Sequence, residues 1–115
     1  MAEIDLALVS RRLVVPGASD VTIRVDAPQH PHGALHLLVD GPLCATSICV
    51  WPSGAGETSW STISGPTVIR EFQVTEASVV DTLLALARDA TARASRMASN
   101  NSFKVTPDGA PQLNR

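Results

Sequence analysis

From Thr75 to Ser99 apolar side chains recur at three- and four-residue intervals: Val80, Leu83, Leu84, Ala87, Ala94 and Met97. That period marks one face of an α-helix and predicts a helix over 76–98. Asp81, Arg88, Arg93 and Arg96 fall largely off the stripe and are expected in solvent. Thr75 is the expected N-cap, its hydroxyl accepting a backbone N–H left open in the first turn. Glu76 and Asp81 lie toward the positive end of the helix dipole, Arg93 and Arg96 toward the negative end. Asp89 and Arg93 form an i,i+4 pair of favourable order. The second half is rich in alanine, so its face is slim enough to lie close to a sheet.

Upstream the period changes to two. Val21, Ile23 and Val25 share one side of a strand over 21–26. Residues 34–39 are mostly apolar and run into Asp40-Gly41-Pro42, a strong turn signal. Over 46–51, Ile48 and Val50 alternate with Ser47, Cys49 and Trp51. The stretch 58–63 is rich in Ser and Thr and contains Trp60. Over 67–74, Val68, Arg70, Phe72 and Val74 fall on one side, Ile69 and Glu71 on the other. Pro52-Ser53-Gly54-Ala55-Gly56 and Ser64-Gly65-Pro66 suit hairpin loops, which makes the runs an antiparallel meander.

The segment 3–15 fits two patterns: Ile4, Leu6 and Leu8 alternate as in a strand, while Ile4, Leu8 and Val9 suit a short helix. The helix, ended by Pro16-Gly17, is the preferred reading. The fold expected is α+β, an antiparallel β-meander of four to five strands packed on one long C-terminal helix. It occupies 1–99 as one domain. Residues 100–115 are rich in Asn, Pro, Gly and Ser and are expected to form a mobile tail, with a short strand at 102–106 as the alternative.

Composition narrows the function. The 115 residues are 44% apolar with a formal charge of −2, which leaves no bulk basic surface for nucleic acid. Trp51, Trp60, Phe72 and Phe103 are the only aromatics, too few for a base-stacking platform. The longest apolar run is Leu83–Ala87, far short of the roughly 20 residues of a membrane span. The start, Met1-Ala2-Glu3-Ile4-Asp5, is acidic where a signal peptide is basic, so a cytoplasmic location is expected.

Each group with reactive potential has a plainer reading. His30, His32 and His36 are weak metal candidates: the H-x-H spacing lacks a second ligand set, and exposed loop histidines account for them. Cys44 and Cys49 are five apart. In one strand that spacing points them to opposite faces, about 16 Å apart, beyond the reach of a disulfide. A cysteine nucleophile has no signature around it. Gly54-Ala55-Gly56 lacks the Lys-Ser/Thr and helix of a phosphate loop. Glu57, Glu71 and Glu76 read as solvated carboxylates. No cofactor is expected. Trp51 and Trp60 flank one hairpin and suit either a core or a partner interface. Trp60, among Ser59, Ser61 and Thr62, is the better interface candidate.

The run Ile48-Cys49-Val50-Trp51-Pro52-Ser53-Gly54 resembles the I-x-V-W-x-S-G strand and turn of TriTu-type immunity proteins, small bacterial proteins that neutralise polymorphic toxins. Over 47–87 the order of two further strands and an amphipathic helix is similar. The resemblance implies a non-enzymatic inhibitor that binds a cognate toxin domain. The expected partner surface lies on the sheet or its loops around Trp60, Glu57, Glu71 and Trp51. The net charge of −2 does not by itself imply a strongly basic partner. A dimeric secretion or assembly chaperone is the second expectation. The third is a small metal-dependent enzyme using His30, His32 and His36.

Overall fold

The computed structural model describes residues 3–15, 17–30 and 32–97. The expected tail at 100–115, with its alternative strand at 102–106, lies outside the described residues. Two helices and five strands follow in the order α1 (Leu6–Arg12), β1 (Thr22–Asp26), β2 (Leu35–Asp40), β3 (Cys44–Val50), β4 (Ala55–Thr62), β5 (Val68–Gln73) and α2 (Val79–Ala94). Every strand pairs antiparallel with the next, so spatial order equals chain order. This is the expected α+β meander with a short N-terminal helix.

Alternation along each strand sends one set of side chains to the helices and the other away. Leu35, Leu37 and Val39 of β2 and Ile48 and Val50 of β3 are fully buried under α2, which contributes Val79, Leu83 and Ala87. α1 closes the same side with Leu6 and Val9, flanked by Ile4 and Leu13. Its Leu8 is exposed, so the stripe is not the Ile4, Leu8 and Val9 set of the sequence reading. Asp5 caps α1 by accepting the Leu8 N–H at 3.2 Å.

The alanine-rich half of α2 does lie close to the sheet. Ala90 and Ala94 pack with Val39 and Cys44, and the Leu43 N–H donates to the Ala94 carbonyl at 3.0 Å. The approach requires glycine at 41, because a Cβ there would stand 2.7 Å from the Ala94 oxygen. Gly54, at φ +96°, occupies the left-handed region in the β3–β4 turn, where its carbonyl accepts the Val74 N–H.

Both ends of α2 differ from the pattern-based bounds. A turn at 76–78 precedes the helix: the Thr75 carbonyl accepts the Val79 N–H and its hydroxyl accepts the Ser78 N–H, so Thr75 organises the entry while Ser78 is the cap residue. At the other end Ser95 is extended. The Asp20 carboxylate accepts the Ser95 hydroxyl at 2.6 Å and the Arg96 N–H at 3.0 Å, drawing the chain away from the helix axis. Met97 is therefore exposed instead of continuing the stripe.

Candidate functional site

Among the described residues no element packs on the sheet face turned away from the helices. Strand register arranges that face in rows. One row crosses all five strands as Asp26, His36, Cys49, Glu57 and Glu71. The next reads Arg24, Leu38, Ser47, Ser59 and Ile69, and a third reads Thr22, Asp40, Ala45 and Ser61. The small side chains of Ala45, Ser47, Ser59 and Ser61 leave a shallow depression of about 410 Å³, bounded by Leu38 and Asp40. Ile69 at its flank is 59% exposed.

The face is far more acidic than the chain. It gathers Asp26, Asp40, Glu57 and Glu71 against one guanidinium, Arg24, which is already paired with Asp26 at 3.0 Å. Glu57 and Glu71 stand directly opposite each other, both exposed, and among the described residues neither has an ion-pair partner. Like charges in this position destabilise a sheet.

Cys49 and His36 touch within the first row, Sγ to Nδ1 at 3.0 Å. Burial pushes the Cys49 thiol pKa up, the Glu57 carboxylate adds to that, and the Ser47 hydroxyl opposes both. The thiol is thus held protonated, the reverse of an activated nucleophile. Cys44 is buried on the helix side, as the five-residue spacing requires.

The four expected partner residues divide between the two faces. Glu57 and Glu71 come together on the open face. Trp51, two residues beyond Cys49, continues the same side of β3 and is 41% exposed. Trp60 points the other way: it is half-buried against the Val39, Cys44 and Ala90 cluster, with the Arg93 guanidinium 4.0 Å from its ring. Arg93, expected in solvent, instead lies over that ring with its Nε buried and no hydrogen-bond partner.

The three histidines do not converge. His32 Nδ1 lies 3.3 Å from Glu3, His36 is engaged with Cys49, and His30 lines a polar depression with Asp26 and His36. Among the described residues no group of three or more His, Cys, Asp or Glu side chains is placed to hold a metal ion. Among the same residues no helix is long and apolar enough to cross a membrane.

Sequence reasoning missed the His36–Cys49 contact and the small-residue depression. The signal for both was present, since Ser47 and Cys49 alternate against Ile48 and Ser59 and Ser61 against Trp60. Only the inter-strand register sets them side by side. The chain matches no family model, no curated protein and no solved structure.

Proposed function

We propose that this protein is a non-enzymatic binding module of the immunity type, which neutralises a cognate bacterial toxin domain by covering it with the open face of the sheet. The observation that carries the reading is the concentration of four carboxylates and one paired guanidinium on a single uncovered face. A chain whose total charge is only −2 thereby acquires one strongly acidic surface. Such a surface steers a basic partner toward itself and rejects acidic ones. The depression of small side chains beside the carboxylates admits a protruding side chain, and exposed Trp51, past the far end of β3, supplies an aromatic anchor. The likeness of Ile48-Cys49-Val50-Trp51-Pro52-Ser53-Gly54, part of which lies on this face, to the strand and turn of the immunity family supports the reading.

The test is to capture the tagged protein from cells that express it and identify what stays bound by mass spectrometry. The partner is then titrated against wild type and a Glu57→Lys, Glu71→Lys double variant. One stoichiometric partner carrying a toxin domain, bound about tenfold or more weakly by the double variant, supports the reading. A stable homodimer in light scattering, with no stoichiometric partner, would replace it with the dimeric chaperone.

A further inference from the structure

Among the described residues β5 is an edge strand, and the pairing pattern assigns which of its backbone groups have no partner there. The Trp51 N–H donates to Ala55 and the Val74 N–H to Gly54. In an antiparallel ladder hydrogen-bonded pairs alternate with non-bonded ones. Gly56, Thr58 and Trp60 therefore bond to Phe72, Arg70 and Val68, and the N–H and C=O groups of Ile69, Glu71 and Gln73 point outward. The side chains of those same three residues lie on the acidic open face.

Edges of this kind are commonly blunted by proline, a bulge, a covering element or charged side chains, and of these β5 carries the charges of Arg70 and Glu71. β5 contains neither proline nor glycine and keeps unbroken register with β4 over six residues. Its one charge conflict, Glu71 opposite Glu57, would be relieved by a cation arriving from the free side.

We infer that β5 is a docking edge for a basic extended segment of the partner, which adds as a sixth strand with a lysine or arginine opposite Glu71 and an apolar residue opposite Ile69. This rests on the proposed reading as a binding module and specifies the partner's chemistry. Outward donors and acceptors supply main-chain bonds, and alternate side chains supply selectivity. A second copy fits less well: Arg70, the one basic residue of β5, lies on the other face of the strand, so no antiparallel register of two β5 strands sets a cation opposite Glu71.

The probe is a capped heptapeptide of threonine with valine, lysine and valine at its second, fourth and sixth positions, so that either strand direction presents the same face. Its counterpart carries glutamate in place of lysine. Amide hydrogen exchange of the full chain is followed by NMR as each is added. Slowed exchange at Ile69, Glu71 and Gln73 is expected, with the lysine peptide binding about fivefold tighter than the glutamate peptide. Glu71→Lys is expected to invert that preference. No slowing at these three amides with the lysine peptide, or a preference unmoved by Glu71→Lys, overturns the inference. Protection of the same amides before peptide is added puts a segment of this chain or a second copy on the edge and overturns it too. A natural partner captured in one-to-one complex while these amides stay unprotected would sink the edge and leave the face as the binding surface. If no partner is captured while the edge still takes the lysine peptide, the immunity reading fails and the edge stands.

Discussion

Arg93 of α2 lies flat over Trp60 of β4, its guanidinium carbon 4.0 Å from the ring centroid. The contact joins the end of the helix to a strand that lends no apolar side chain to the main core, and it leaves the Arg93 Nε buried without a hydrogen bond. The stacking and the aliphatic stem carry the interaction. Arg93→Ala should therefore cost about 1 kcal/mol in urea unfolding. Arg93→Met should cost less, because it keeps the stem and removes the unsatisfied nitrogen. Trp60→Ala, at a half-buried site, should cost about 2 kcal/mol, below the range for fully buried aromatics. Equal losses for the Ala and Met variants at 93 would show that the charge, not the stem, holds the ring.

Glu57 and Glu71 oppose each other without a counter-ion among the described residues, so the free protein carries a repulsion that folding does not relieve. Glu71→Lys should raise stability by about 0.5 kcal/mol in thermal unfolding at low salt. The gain should shrink as salt is added, because both groups are exposed. A gain independent of salt would point to strand propensity instead of charge.

Cys49 should alkylate slowly at neutral pH. Burial and Glu57 both raise its pKa above the ordinary value of 9.0, so little thiolate exists for iodoacetamide to capture. Removing the carboxylate with Glu57→Gln should move the inflection of the rate–pH curve to lower pH. Since the folded pKa is raised, the contribution of this thiol to stability is complete below the unfolded value and is lost as pH rises through the folded one. Mass spectrometry of the adduct should place the label on Cys49 and not on buried Cys44. An inflection below that of a free thiol would contradict the environment described.

Asp20 holds the chain just after α2. The Ser95 hydroxyl, above all, and the Arg96 N–H lower its pKa below the ordinary 3.8, against a smaller opposing effect of burial. A depressed carboxylate contributes stability that is present above its unfolded pKa and lost as pH falls through the folded one. Wild type should therefore lose stability below about pH 4 more steeply than Asp20→Asn in acid-induced unfolding. Parallel acid limbs for the two proteins would remove Asp20 from the account.

Much of the fold is legible in the sequence. The strands of the meander follow from two-residue alternation and turn residues, with ends off by at most three residues. α2 came from its stripe, but its ends did not. The N-terminal end depends on Thr75 bonding across a turn, and the C-terminal end on Asp20, 75 residues away from Ser95 in sequence. A contact at that separation leaves no mark in local periodicity. The candidate site was half legible for the same reason. Glu57, Glu71 and Trp51 were picked out as residue types on strands, and they do share a face. Trp60 has polar neighbours in sequence, but Ser59 and Ser61 alternate with it, so they face out as it faces in.

The class of fold, the alternation along most strands and the opposite directions of Cys44 and Cys49 within one strand are properties of the sequence alone. Those properties follow from spacing within one element, where geometry repeats every two or 3.6 residues. Which faces meet, and which stay uncovered among the described residues, depends instead on how segments distant in sequence pair. Five short strands with modest charge each become, once paired in register, one acidic surface. Register is a relation between distant segments, set by the burial of Leu35, Leu37, Ile48 and Val50 under α2. That burial fixes, on the opposite side of the same strands, where His36, Cys49, Glu57 and Glu71 must stand.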